Sequence, residues 1–142
     1  MDYYFLGSTV SLVIQLIIFA MLIVSLWLKN KKHFRRHGFL MVTSVVLHLF
    51  SLFIVMTPSF SAIVSMSTSL PETILALSLV HGVFGLVTLF LGVWLSVAWR
   101  FRQSLQYCAP KKNLMRATFL TWTISIFVGA VLYLIFYLPL IA

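Results

Sequence analysis

Four apolar stretches, each long enough to cross a lipid bilayer, fill most of this chain, and nearly all of its charge falls between them. They run at about Phe5 to Leu28, Gly38 to Thr57, Thr73 to Trp99 and Leu114 to Leu138. A hydrocarbon core of ~30 Å takes about 20 helical residues, so each stretch spells one span. Inside lipid the backbone must satisfy its own hydrogen bonds, which a helix does within one segment. The expected fold is therefore an all-α integral membrane bundle of four transmembrane helices in a single domain. The first stretch has no Lys or Arg ahead of it, only Asp2, so it lacks the positive leader of a cleavable signal peptide and is expected to remain as a helix.

Composition narrows the chemistry. Of 142 residues, 62% are hydrophobic and 8% charged, and ten Lys and Arg stand against two Asp and Glu. That balance excludes a water-soluble globule, and it excludes paired-carboxylate hydrolysis and carboxylate-bridged metal centres. The one cysteine, Cys108, permits neither an intramolecular disulfide nor a thiolate cluster within one chain. The net charge of +8 does not point to nucleic acid, because the basic residues form two short runs between apolar blocks, where they act as anchors at the bilayer surface.

Those runs, Lys29 to Arg36 and Arg100 to Arg116, hold every Lys and Arg and are the first and third connections. The positive-inside rule places both in the cytoplasm, with Asp2, Glu72 and both termini outside. Tyr3, Tyr4 and Tyr137 near the outer surface, with Trp27 and Trp99 near the inner one, fit an aromatic belt. The outer connection, Pro58 to Glu72, is rich in Ser and Thr and reads as a short cap. Its last residues, Ser69-Leu70-Pro71-Glu72, match a capping box and start the third helix near Leu70. The four helices are expected at about 5–28, 38–57, 70–99 and 114–138. Ser11-Leu12-Val13 and Trp27-Leu28 recur as Ser78-Leu79-Val80 and Trp94-Leu95, and Leu40-Met41 recurs as Leu114-Met115. Two repeated helical hairpins would produce this, as would chance in so biased a composition.

Chemistry must come from residues that are costly to place in a bilayer, and two histidines stand out: His48 in the second helix and His81 in the third. His48 precedes Pro58 by ten residues and His81 follows Glu72 by nine, which sets both at ~13 to 15 Å below the outer boundary. Two imidazoles at one level on antiparallel neighbours meet the needs of axial haem iron ligation. The stripe His81, Gly85, Thr88, Gly92 and its counterpart Met41, Ser44, His48, Ser51, Val55 are small beside each histidine. That leaves room for a porphyrin plane, and Ser44, Ser51 or Thr88 would fix the tautomers. The competing readings are a structural histidine pair that ties helices together, or a metal or quinone site. Zinc lacks further donors at that depth.

His33 and His37, an i, i+4 pair among Lys31, Lys32, Arg35 and Arg36, read as exposed residues beside anionic headgroups. A second, inner haem would have to pair His37 with Met115. Gln15 is expected to make an interhelical hydrogen bond, and Trp94 and Trp122 to pack or anchor, or else to stack on a cofactor or quinone.

A resemblance rests on His37-Gly38-Phe39-Leu40-Met41, on the His48 helix closing in Met56-Thr57-Pro58-Ser59-Phe60, on His81 to Gly85, and on Cys108 through Lys111-Lys112-Asn113-Leu114-Met115-Arg116. Over about residues 20 to 135 these resemble the small archaeal and bacterial membrane proteins of domain-of-unknown-function family 420. The resemblance implies a four-helix membrane fold and the company of respiratory-chain proteins, without an established activity. A His-Arg step is common there before the second helix, and Gly38 departs from it. The architecture also resembles a shortened diheme cytochrome b with one histidine pair. The function expected from the sequence is a membrane-embedded b-type cytochrome in a respiratory chain, with one haem b on His48 and His81. It would exchange electrons with a quinone or methanophenazine pool, a respiratory-chain protein or an external cytochrome, alone or as an oligomer. The alternative is a cofactor-free membrane subunit or assembly factor of a respiratory complex.

Overall fold

A computed structural model describes residues 2–65, 70–99 and 109–141. Ser69 of the capping box, Arg100, Arg102 and Cys108 lie outside the described residues, as do the side chains of Asp2, Tyr3 and Tyr4. Every element among the described residues is helical: α1 (Asp2–Asn30), α2 (Phe34–Ser65), α3 (Glu72–Trp99) and α4 (Lys112–Ile141), with a 3-10 turn at Ala109–Lys111 leading into α4. All four are long and apolar enough to cross a membrane. α1 packs mainly on α2 and α3 on α4, and the α2–α3 and α1–α4 seams close the ring. Both chain ends and the α2–α3 connection therefore lie at one end of the bundle, and the basic α1–α2 turn at the other.

The first turn is tighter than the sequence implies. The His33 N–H bonds the Leu28 carbonyl at 2.9 Å and the Lys32 N–H bonds Lys29 at 3.0 Å, a Schellman closure that puts Lys32 in the left-handed region, φ 63°. α2 can then begin at Phe34, ahead of the expected Gly38, and absorb Arg35, Arg36 and His37.

At its other end α2 does not stop at Thr57 but runs on through Pro58 to Ser65. Proline removes the N–H that would bond Ile54 and crowds that carbonyl. The strain is met by a π turn at Leu52–Met56, in which the Thr57 N–H reaches back to the Leu52 carbonyl, which also accepts the Thr57 hydroxyl at 2.9 Å. The expected cap over Pro58 to Glu72 is thus largely helix. α3 begins at Glu72, where the Pro71 carbonyl accepts the Ile74 and Leu75 N–H groups at 3.0 and 3.2 Å.

The bundle is apolar outside and mixed inside. Large side chains such as Phe39, Phe50, Phe53, Phe90, Trp94 and Phe127 face outward. Ser11, Gln15, Ser44, His48, Ser51, Ser78, Thr88, Thr118 and Ser125 are buried. The apolar core is one compact cluster of Ile18, Leu22, Val45 and Trp122 at mid-height. Small residues let the helices close on each other: a side chain at Gly92 would meet Val45, and one at Gly38 would overlap the Trp99 ring. That close approach is a local reason for glycine after His37.

Candidate functional site

Between the core cluster and the chain ends lies a half-open cavity of about 620 Å³. All four helices contribute to it. Ser8, Ser11 and Gln15 come from α1, and the π turn rotates Val55 and Met56 of α2 into the wall, followed by Phe60 and Ile63. His81 and Ser78 come from α3, and Ser125, Gly129, Leu132, Tyr133 and Tyr137 from α4. The upper α1–α4 seam is stitched shut: Thr9 donates to the Phe5 carbonyl at 2.8 Å, so Tyr133 OH donates to Thr9 Oγ1 at 2.9 Å, and Ser8 and Tyr137 share a 3.0 Å bond.

His81 opens on this cavity. Its Nδ1 lies 2.9 Å from the Ser125 carbonyl, which can only accept, so Nδ1 carries the proton and Nε2 of the neutral ring keeps its lone pair. The ring rests on the bare backbone of Gly129, where a Cβ would stand 2.7 Å from Cε1. This combination of a backbone carbonyl orienting one nitrogen and a glycine accommodating the ring is the usual way to hold the other nitrogen ready for a partner.

His48 is close to His81 in the chain's packing but in a different setting. Only 1% exposed, it stands edge-on to Trp122 with ring centroids 5.3 Å apart. Gln15 Nε2 donates to its Nδ1 at 3.1 Å. Its Nε2 turns toward the Gly85 backbone and has no hydrogen-bond partner. On α4, His48 meets Trp122, whereas His81 meets the Ser125 carbonyl one helical turn nearer the chain end. Neither His48 nor Ser44, Ser51, Gly85 or Thr88 lines the cavity.

The expected tautomer-fixing roles fall to other residues. Ser44 bonds its own helix at Leu40, Ser51 shares a 2.9 Å bond with Ser11, and Thr88 donates to Thr121 at 3.0 Å. Gly85 faces Ser125 Oγ, 3.6 Å from where a Cβ would stand, so the space beside it is taken by α4. A haem gripped by both rings would require α2 and α3 to part.

At the basic end, His37 is buried rather than exposed. Its Nδ1–H is shared between the Ser25 carbonyl, at 2.9 Å, and Ser25 Oγ, at 2.6 Å, and Ser25 Oγ also lies 3.3 Å from the His37 carbonyl. The imidazole clamps the start of α2 to α1, while Met115 is half-buried on α4. His33 stays exposed at the helix start, and Lys31 Nζ lies 4.1 Å from the Trp27 ring centroid. Of the tryptophans weighed as cofactor contacts, Trp122 is core and Trp94 faces outward. Among the described residues no three His, Cys, Asp or Glu side chains gather to hold a metal ion.

Gln15 makes its expected interhelical bond. Ser125, Gly129 and the α2 extension escaped the sequence reading, because a Ser-x3-Gly spacing on a transmembrane helix reads first as a packing seam and Pro58 reads first as a helix end. The chain matches no family model, no curated protein and no solved structure.

Proposed function

We propose that the protein is a multi-pass membrane subunit of a prokaryotic electron-transport chain that binds a lipophilic redox carrier of the quinone or phenazine class. Its basic connections face the cytoplasm and its termini lie outside, as the distribution of Lys and Arg supports. One observation carries the reading: a cavity of about 620 Å³ with long apolar walls is lined at its deep end by His81, a histidine whose Nδ1 is engaged and whose Nε2 keeps its lone pair. Flat carriers with apolar tails need this combination, a greasy slot for the body and a few placed polar groups for the ring oxygens or nitrogens. The ring would lie against His81, Gln15 and Ser78, and the tail along Val55, Met56, Ile63, Leu132 and Phe136. A photoactivatable azidoquinone should label the α2 segment 55–63 or the α4 segment 132–137 of the purified protein, and Leu132→Trp, which fills the slot, should suppress the labelling. Labelling spread evenly over the outward faces would refute the reading.

A second reading, the b-type cytochrome expected from the sequence, is favoured by His81, whose Nε2 keeps its lone pair, and by a buried His48 on the facing helix whose Nε2 has no hydrogen-bond partner. Haem would supply one-electron transfer. The chain's contribution would be two neutral imidazoles: His81 already has its Nδ1–H on the Ser125 carbonyl, while His48 would have to move its proton from Nε2 to Nδ1, with the Gln15 amide turned so that its oxygen accepts it. Sharp α and β bands on reducing the purified protein, lost in His48→Ala and in His81→Ala but kept in His33→Ala and His37→Ala, would establish it. A colourless protein from haem-replete cells would remove it. The same spectrum bears on the cofactor-free assembly subunit, which would be colourless and would also fail the azidoquinone test.

A further inference from the structure

We infer that the cavity selects the reduced, hydrogen-bond-donating form of its carrier over the oxidised form, an inference that rests on the carrier reading above. The argument is a census of protons at the deep end. His81 Nδ1–H is committed to the Ser125 carbonyl, so Nε2 offers only a lone pair. The Ser78 hydroxyl donates to the Ile74 carbonyl at 2.9 Å, and Ser125 Oγ points at the His81 carbonyl at 3.5 Å. Both hydroxyl hydrogens are therefore directed at helix carbonyls, and the oxygens show the cavity acceptor lone pairs. Gln15 directs an amide hydrogen at His48, which leaves its carbonyl oxygen as an acceptor and one remaining N–H as a spare donor, and the Ser11–Ser51 pair commits one of its two hydroxyl hydrogens to their shared bond and keeps the other. On α4, the Tyr133 hydroxyl hydrogen is committed to Thr9.

The floor is thus acceptor-rich and uncharged. A quinol brings two O–H donors, and a dihydrophenazine two N–H donors, to such a floor. A quinone or phenazine brings acceptors that would face His81 Nε2 and the serine oxygens lone pair to lone pair. Leaving buried polar atoms unmatched costs more than an ordinary hydrogen bond contributes, so the two oxidation states should differ in affinity by about tenfold or more. Preference for the reduced form defines what the site holds: a quinol or dihydrophenazine resident in the membrane, in preference to its oxidised counterpart.

The test uses the full chain reconstituted in lipid nanodiscs and three probes of one skeleton: a decyl-substituted benzoquinone, its quinol, and the dimethyl ether of that quinol. Dissociation constants come from the concentration dependence of the unfolding midpoint. The expected result is a quinol bound about tenfold or more tightly than both the quinone and the ether, since methylation removes the donors while keeping the shape. Equal affinity for quinol and quinone, or tighter quinone, would overturn the inference and leave the carrier site standing. Binding of none of the three would remove both. His81→Phe should reduce quinol affinity to the level of the ether while leaving the ether unchanged. Ser78→Ala should shift the ratio in the same direction by less, and an unchanged quinol preference in both variants would also overturn the inference.

Discussion

Single residues in this bundle act chiefly by what they leave room for. Gly129 is the clearest case: any side chain there meets the His81 imidazole of α3, and that ring is tethered to Ser125, one turn from Gly129 on α4, so it has nowhere to retreat. Gly129→Ala should destabilise the protein by about 1 to 3 kcal/mol through overpacking, and should weaken quinol binding because Nε2 is swung off the cavity axis. Unfolding midpoints with and without the quinol report the two effects separately. Lys32 presents the opposite situation, a β-carbon in a left-handed conformation that glycine adopts freely. Lys32→Gly should stabilise the α1–α2 turn by about 1 kcal/mol, read as a higher unfolding midpoint, with ligand binding unchanged because the turn lies at the far end of the bundle. The two important histidines were legible in the sequence because an imidazole within an apolar run is rare and costly. Their partners were not. Gln15 could be assigned a hydrogen bond but not a recipient, and the Ser125 contact uses a backbone carbonyl, which leaves no mark in the side-chain sequence.

Whole helices were legible to within a turn where the signal was apolar length, and misread where it was punctuation. α1, α3 and α4 lie close to the expected spans, and α3 starts two residues after Leu70 because the Pro71 carbonyl, rather than a residue before it, accepts the first bonds. Pro58 misled more, since proline ends most helices but here is absorbed by a π turn. That turn has a consequence for the site. An inserted residue changes the facing of everything beyond it, and Val55, Met56, Phe60 and Ile63 reach the cavity in the register it sets. Pro58→Ala restores the missing N–H and removes the reason for the wider turn, so α2 should relax toward regular α geometry and rotate its last two turns. Fold and stability should hold while azidoquinone labelling of segment 55–63 falls severalfold. Labelling at the wild-type level would mean that the π turn does not set this register. The extension also makes α2, at 32 residues, about 48 Å long, beyond what a ~30 Å hydrocarbon core covers. If the basic turn is on the cytoplasmic side, as proposed, Ser65→Cys should react with an impermeant maleimide in intact cells, whereas Cys108 should react only after the cells are opened. The reverse pattern would invert the proposed orientation.

Across the whole molecule, polar residues gather at two heights with an apolar layer between them. Near the chain ends are Ser11, Gln15, Ser51, Ser78, His81 and Ser125, and at the basic end the Ser25–His37 clamp. Ten residues of α1, about 15 Å, separate Gln15 from Ser25, and Ile18, Leu22, Val45 and Trp122 fill the level between them. Ser44 of α2 lies at this level beside Val45 with its hydroxyl on the Leu40 carbonyl, and Thr88, Thr121 and Thr118 thread past on the α3–α4 seam, but these hydroxyls do not form an open relay. Thr88 donates to Thr121, Thr121 to the Thr118 carbonyl at 3.0 Å, and Thr118 to the Leu114 carbonyl at 2.8 Å, so the chain of donors ends on backbone. On the proposed carrier reading, a proton released at His81 would find polar side chains toward the chain ends, and among the described residues the apolar layer would separate the site from the basic face. Vesicles containing the protein should hold an imposed pH gradient as well as protein-free vesicles, measured with an entrapped pH-sensitive dye. Leu22→Ser places a hydroxyl inside the apolar layer, and together with Ile18→Ser it supplies the missing steps between Gln15 and Ser25. That double variant should dissipate the gradient several times faster while still binding quinol. Rapid dissipation by the wild-type protein would show that the layer does not insulate, and the one-sided exit proposed for the proton would have to be abandoned.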